Sequence, residues 1–355
     1  MKSKKSKGKV AIGLSGGVDS ALSAWLLKQQ DYDVHGVFIK VWEPPNFPCR
    51  WLIERREAMR VAAFLNIPFT TLDLSNEYKK QVIDYLIDEY KAGRTPNPDV
   101  MCNQTIKFGA FFDWAMNKGF QFVATGHYAR LKEVEGQYHL LKAVDKDKDQ
   151  TYFLWAIKPK VLSKVLFPIG DFKKTKVRSM ARQVGLPNYS KKDSQGLCFV
   201  GPIDFKEFLK TMINEKPGVV LNNQNKIIGR HPGAFFFTLG ERHGFYLDQK
   251  ESNQGPMYVV SKDVDKNTIN VDFKPPIHKI DQKIKLKDTN WMTGQRPEGQ
   301  ILAAGRYRQE PFNCEFLSDF EIKTKILTDA LAPGQSMVFW QNQECLGGGV
   351  IDNMN

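Results

Sequence analysis

The chain has 355 residues, 42% of them hydrophobic, which is enough for two or three domains with apolar cores. No run reaches the ~20 apolar residues of a membrane-spanning helix and nothing resembles a signal peptide, so a cytoplasmic protein with no membrane partner is expected. Formal net charge is +12; five lysines of the tail 1–9 carry part of it and a surplus of seven remains without them, which favours a polyanionic partner, nucleic acid first.

In chain order, Val10-Ala11-Ile12 reads as a short buried strand, and Ala21, Leu22, Trp25 and Leu26 as one face of a helix. Strands follow at Val34–Ile39, Phe69–Leu74 and Phe120–Thr125. Helices are expected near Glu54–Leu65, along the stripe Tyr78, Val82, Leu86 and Tyr90, and near Ile106–Met116. Strands alternating with helices imply a parallel sheet with its ligand site beyond the strand C-terminal ends, where Gly16 and Gly126-His127 would lie. After Tyr128 the pattern turns to a hairpin, Ala129–Glu133 with Tyr138–Val144, then helices at Thr151–Ala156, at Thr175–Val184 with Thr175 as N-cap and Gly185 past its end, and at Asp204–Ile213. Beyond Pro217 come short strands and turns, with Pro275-Pro276 as a linker. The runs Lys283–Leu286, Ile301–Tyr307, Cys314–Leu317, Ile322–Ile326, Met337–Trp340 and Glu344–Ile351 suggest a small β-barrel. The expected layout is therefore α/β: a basic tail at 1–9, a parallel-sheet domain at 10–203, a small mixed, β-rich central domain at 204–276 and a C-terminal β-barrel at 277–355.

Three stretches carry chemistry. In Gly13-Leu14-Ser15-Gly16-Gly17-Val18-Asp19-Ser20 a glycine turn sits between strand and helix, so backbone N–H groups and the helix dipole should hold an anion such as phosphate. Asp19 adds a carboxylate that could hold magnesium. The second, Arg94-Thr95-Pro96-Asn97-Pro98-Asp99-Val100-Met101-Cys102-Asn103, reads as a stiff loop, not a helix, because two prolines fix φ and push their predecessors to extended conformations. The third surrounds Cys198 with polar and glycine residues after Lys191-Lys192; cations there would favour a thiolate. The five cysteines (Cys49, Cys102, Cys198, Cys314 and Cys345) are scattered without a C-x-x-C pair, which argues against a structural zinc site and a secreted disulfide framework. Cys49, Cys314 and Cys345 read as structural.

The loop lacks the lysine of G-x-x-x-x-G-K-[ST]; its Ser-Gly-Gly-x-Asp-Ser pattern instead resembles the PP-loop of ATP pyrophosphatases. Taken with Tyr90–Asp99, Cys102-Asn103, Ala124-Thr125-Gly126-His127-Tyr128, Lys148–Leu154, Leu197-Cys198-Phe199, Arg306-Tyr307-Arg308-Gln309 and Pro333-Gly334-Gln335, the chain resembles the tRNA-specific 2-thiouridylases almost from end to end. The resemblance implies ATP held by Gly13, Leu14, Ser15, Gly16, Gly17, Val18, Asp19, Ser20, Ile39 and Gly126. It implies a target uridine, the wobble position of a tRNA anticodon loop, met by Asn97, Pro98 and Asp99, with Asp99 an acid/base candidate. Further tRNA contacts would come from His127, Lys148, Asp149, Gln150, Arg306, Tyr307 and Gln335. Cys198 would carry sulfur as a persulfide received from a donor protein, a cysteine desulfurase or relay protein; Cys102 would be the partner nucleophile, the two closing a disulfide after transfer. ATP and Mg2+ are the implied cofactors, and the reaction is adenylation of the uracil C2 oxygen followed by sulfur transfer. Two positions depart from the family pattern: Glu43–Pro48 replaces an acidic stretch, and Glu241 stands where glutamine is common. An amidating synthetase acting on a small molecule, or a nucleotide-sensing RNA-binding protein without catalysis, would share the loop; the basic surplus and β-rich second half argue against the synthetase.

Overall fold

The computed structural model describes residues 6–44, 51–193, 205–249, 255–276, 282–324 and 331–354. The N-terminal part is a five-stranded parallel sheet of β1 (Lys9–Gly13), β2 (Asp33–Lys40), β3 (Phe69–Asp73), β4 (Phe122–Ala124) and β7 (Val165–Leu166), ordered β3-β2-β1-β4-β7. The period-2 pleat divides its core between two faces. Val10, Ile12, Val34 and Phe38 pack on one side with Leu22 and Leu26 of α1 (Val18–Gln29). Ala11, Val37 and Ile39 pack on the other with Tyr78, Val82, Leu86, Ile106 and Phe111 from the helical runs 75–91 and 98–117. The chain leaves β1 toward β2 on one side and later returns to β4 on the other. The β1/β4 boundary is thus the switch point where a doubly wound sheet opens its crevice.

The central part is a second five-stranded sheet, with Gly218–Leu221 between Ile227–His231 and Thr268–Asp272, flanked by Tyr246–Leu247 and Tyr258–Asp263. The C-terminal part closes a barrel by pairing Gln282–Trp291 with Glu344–Met354. The hairpin β5 (Ala129–Val134) and β6 (Gln137–Lys142) falls within the N-terminal stretch of sequence yet extends this barrel sheet: Glu344 pairs with Leu141 and Cys345 with Leu140. No helix among the described residues is long and apolar enough to cross a membrane.

Three local expectations change. The stretch after Pro96 is not a loop throughout: a helix starts at Pro98, continues in wide turns over Cys102–Ala110 and ends at Asn117. Asn97 is extended, as a residue before proline should be, and its side chain caps the amides of Asp99 (3.2 Å) and Val100 (3.3 Å). Pro98 at the first helical position loses an N–H that had no helical partner anyway, so the proline starts the helix that it was expected to prevent. The Lys174–Val184 helix has Lys173, not Thr175, at its N-cap. No side chain of its own caps it; the Asp145 carboxylate accepts from the Lys174 amide at 2.7 Å instead. Thr151–Ala156 is one tight turn, Thr151–Phe153, that goes no further as helix: the carbonyls of Trp155 and Ile157 accept from the Asn290 side chain at 2.7 and 3.0 Å.

Candidate functional site

The Gly13–Ser20 loop leaves β1 at the switch point and is held from within. Ser20 Oγ accepts from the Ser15 amide (3.3 Å) and donates to the Gly17 carbonyl (3.1 Å), while Ser15 Oγ accepts from the Gly17 amide (3.3 Å). Gly16 adopts φ +73°, and a Cβ there would lie 2.8 Å from the Glu54 carbonyl oxygen, so only glycine suits the turn. Its own carbonyl is anchored by Asn188 Nδ2 (2.9 Å) and Lys191 Nζ (3.3 Å). Gly17 caps α1 in an extended conformation and no side chain caps the first turn. The N–H groups at the start of this 12-residue helix therefore present an anion-binding end.

This end opens into a cavity of about 410 Å³. Gly13, Leu14, Ser15, Gly17, Val18, Asp19, Ser20, Ile39 and Gly126 line it; Gly16 does not, facing the Trp51–Phe64 helix. Gly126 crosses so close to α1 that a Cβ would lie 2.7 Å from the Ser20 amide nitrogen and 2.9 Å from the Asp19 carbonyl carbon. Gly126→Ala should therefore push the loop off its seat and weaken ATP binding by about tenfold or more, since a single overlap of this kind costs on the order of 1–3 kcal/mol. Gly255→Ala, where a Cβ meets nothing within 4 Å, should leave it unchanged; calorimetric titration with ATP reads both.

At the far end of the loop an ion network crosses the cavity wall. Lys174 Nζ lies 2.7 Å from both carboxylate oxygens of Asp19 and 2.8 Å from Asp193 Oδ1, with only 10% of its side chain exposed. Tyr128 donates its hydroxyl to Asp19 at 2.9 Å; burial, then the Asp19 charge, drive its pKa far upward, so it stays a donor. Asp193 also meets Arg178 (2.6 Å) and Lys148 (2.9 Å). Burial alone would raise its pKa, but the hydrogen bonds and charges of Lys174 and Lys148 outweigh it and hold the carboxyl well below the usual range. Beside Gly126, His127 is buried with Nδ1 2.7 Å from Thr125 Oγ1 and Nε2 3.3 Å from Lys107 Nζ. Burial first and the Lys107 charge second push its pKa well down, so the ring is neutral.

The opposite wall is the helix starting at Pro98. Asp99 and Asn103, four residues apart, both line the cavity, and Cys102 between them is fully buried. Phe153 and Tyr307 add an aromatic pair, ring centroids 4.5 Å apart. Of the residues expected to touch tRNA, His127, Lys148, Gln150 and Tyr307 line this cavity. Asp149 turns inward, its two oxygens accepting from the Ala143 amide (2.8 Å) and Thr151 Oγ1 (2.7 Å), so it braces the loop rather than facing the cavity. Arg306 and Gln335 lie on a second cavity of about 370 Å³, with Tyr90, Thr238 and Glu241. There Glu241 accepts from the Thr238 amide (3.1 Å) and pairs with Lys206. Asn97 and Pro98 form the helix start, and Cys198 lies outside the described residues, as do Cys49 and most of the Pro44–Arg50 loop.

Residues 8–202 match the family model described as the tRNA methyl transferase HUP domain, residues 206–272 the tRNA methyl transferase PRC-barrel domain, and residues 281–351 the Aminomethyltransferase beta-barrel domain. A protein of Paraburkholderia xenovorans (strain LB400), described as tRNA-specific 2-thiouridylase MnmA, is 42% identical over 98% of this chain and 94% of its own. Proteins of the same description from Geobacillus thermodenitrificans (strain NG80-2) and Bacillus subtilis (strain 168) are 42% and 40% identical, each over 98% of this chain and 95% of their own. The chain belongs to the tRNA-specific 2-thiouridylase family. For this 2-thiouridylase family member, the structure adds cavity residues that the motifs did not single out. Lys174 sits in a lysine-rich run that reads as surface, and no sequence signal marks it as buried. Lys107 lies one helical turn past Asn103, a spacing that would have found it had the helix been expected to begin at Pro98.

Proposed function

We propose that this protein is a tRNA sulfurtransferase that uses ATP to replace the C2 oxygen of an anticodon-loop uridine, at the wobble position, with sulfur. The observation that carries the proposal is one cavity shared by a lysine-free phosphate loop at the switch point, the Asp99–Asn103 helix face and the Phe153–Tyr307 ring pair. In this reading the loop amides and α1 N-terminus hold the ATP phosphates, Ile39 and Gly126 border the nucleoside, and the extruded base enters beside the aromatic pair, as unstacked RNA bases generally do. The uracil O2 attacks the α-phosphate and pyrophosphate leaves; loop N–H groups stabilise the charge that grows on the phosphate oxygens. The outer sulfur of a Cys198 persulfide, loaded by a donor protein, then displaces AMP from C2. Cys102 attacks the Cys198 sulfur, breaking the S–S bond to free the 2-thiouridine and closing a Cys102–Cys198 disulfide that an external reductant must reopen. Asp99 faces the cavity where a proton must move between base and solvent. Lys148, Gln150, Tyr307, Arg306 and Gln335 would hold the surrounding RNA.

Magnesium is a separate matter. Both Asp19 oxygens are taken by Lys174, and among the described residues no three His, Cys, Asp or Glu side chains cluster as a metal site. The residues present do not fit a protein-held ion. The test is incubation of tRNA with ATP, a magnesium salt and a persulfide source, then mass spectrometry of the digested nucleosides. The expected result is 2-thiouridine with tRNA-dependent pyrophosphate release. Pyrophosphate release without tRNA, and no thiouridine, would point to an adenylating enzyme of another kind.

A further inference from the structure

We infer that Asn103 reads the N3–H of the target base and so selects uracil for thiolation; the inference rests on the thiolation reading above. Asn103 is 3% exposed, and its Nδ2 donates to the Phe153 carbonyl at 3.0 Å. That bond fixes the amide: with oxygen and nitrogen exchanged, an acceptor would face the carbonyl. Oδ1 is thereby committed to the other direction, and it has no hydrogen-bond partner among the described residues. A buried acceptor left unpaired is costly and rare; Asn103 lines the cavity while its Oδ1 is closed to solvent, so the donor it lacks would come from a guest seated tightly against this residue rather than from water.

The surroundings give the shape of that guest. Phe153, whose carbonyl orients the amide, also contributes one ring of the pair with Tyr307, and the Arg308 guanidinium lies 5.2 Å from the Tyr307 ring. All three residues line the same cavity as Asn103. A flat ring stacked there meets a single fixed acceptor at its edge. Uracil carries one N–H on its pairing edge, N3–H, flanked by O2 and O4. Cytosine presents a lone pair at N3, which would face Oδ1 as acceptor against acceptor. Because C2 adjoins N3, holding N3–H also holds the reacting carbon, so binding and selection share one contact. Adenine has an amine donor as well, but the loop runs from the end of β1 into α1 and Ile39 lies in β2, whereas Asn103, Phe153 and Tyr307 come from three segments outside these elements.

The experiment crosses one protein change with one substrate change. Wild-type protein and Asn103→Leu are each given tRNA with uridine or 3-methyluridine at the target position, and tRNA affinity is read with an ATP analogue that cannot be cleaved between the α- and β-phosphates. The contact is thereby scored before O2 adenylation, a step in which the N3 proton must leave. With uridine, Asn103→Leu is expected to lose ~10–100-fold, the loss typical of leaving a buried donor unpaired. Methylation at N3 should cost wild type a similar factor and cost the variant less than about twofold further. An equal methylation penalty in both proteins overturns the inference, as does a parallel loss of ATP affinity in the variant, which would assign the acceptor to adenine. Thermal melting checks folding, and Asn103→Ser, smaller and polar, carries the same comparison if the leucine variant is unstable. Wild type forming no 2-thiouridine on any tRNA would fail the thiolation reading instead, a distinct outcome.

Discussion

Serine in place of Cys102 or of Cys198 is expected to abolish 2-thiouridine formation while ATP and tRNA still bind. The chemistry needs sulfur at both places: one thiol must carry the transferable atom as a persulfide, and the other must attack a sulfur–sulfur bond to release it, which a hydroxyl does not do at neutral pH. Cys102 is fully buried in the helix that presents Asp99 and Asn103 to the cavity; it does not itself line the cavity, and the burial keeps it away from bulk oxidants. In the proposed mechanism adenylation precedes sulfur transfer and uses neither thiol, so pyrophosphate release on adding tRNA should persist in both variants. The control is built into the fold. Cys345 is also fully buried, with Sγ donating to the Thr151 carbonyl at 4.0 Å, and burial pushes its thiol up to about 12; Cys314 is likewise raised to about 12 by burial. Thiols held that far above neutral stay protonated and inert. Cys345→Ser should leave thiolation intact. Full thiouridine formation by either Cys102→Ser or Cys198→Ser, scored by nucleoside mass spectrometry, would end the two-thiol mechanism.

How far the sequence could lead depended on the distance between partners. The Gly13–Ser20 loop was legible because its causes are local: an apolar strand before, glycines within, an amphipathic helix after. The alternation of strands and helices likewise implied a parallel sheet, and with it the crevice that Gly126 enters. Two features were not legible because their causes lie far along the chain. The Ala129–Lys142 hairpin was readable as a hairpin, but its edge is taken by Glu344 and Cys345, more than two hundred residues away. The cavity wall at Lys174 depends on Asp19, 155 residues earlier. A third feature failed for a different reason. Pro96 and Pro98 do restrict the chain as expected, but the φ that proline fixes also suits the first turn of a helix, and Asn97 supplied the cap. Reading Asn97-Pro98 as a helix start would have placed Asp99, Asn103 and Lys107 on one face from sequence alone.

Lys174→Met should lower stability and weaken ATP binding together, and the loss should depend on pH in a definite direction. The substitution keeps the apolar stem but removes the charge that separates Asp19 from Asp193, leaving two carboxylates facing each other across the space Nζ occupied. Removing one partner of a fully buried pair costs about 3–5 kcal/mol. Asp19 and Asp193 keep 30% and 34% exposure, so solvent screening reduces this to on the order of 2 kcal/mol. An unneutralised Asp19 in the first turn of α1 would also repel incoming phosphates, and ATP affinity should fall about tenfold or more. In the wild type, Asp193 is held below the ordinary carboxylate pKa by Lys174 and Lys148 against the opposing effect of burial. A depressed folded-state pKa contributes stability that is complete above the unfolded value, near pH 4, and is lost as pH falls through the folded value. The gap in melting temperature between wild type and Lys174→Met should therefore be widest at neutral pH and close as pH drops below about 4. Lys174→Arg, which keeps a cation within reach of both carboxylates, should recover part of that gap at neutral pH. A gap that stays constant from neutral to acid would show that Lys174 acts by packing alone, and the ionic tie between the phosphate loop and Asp193 would have to be given up.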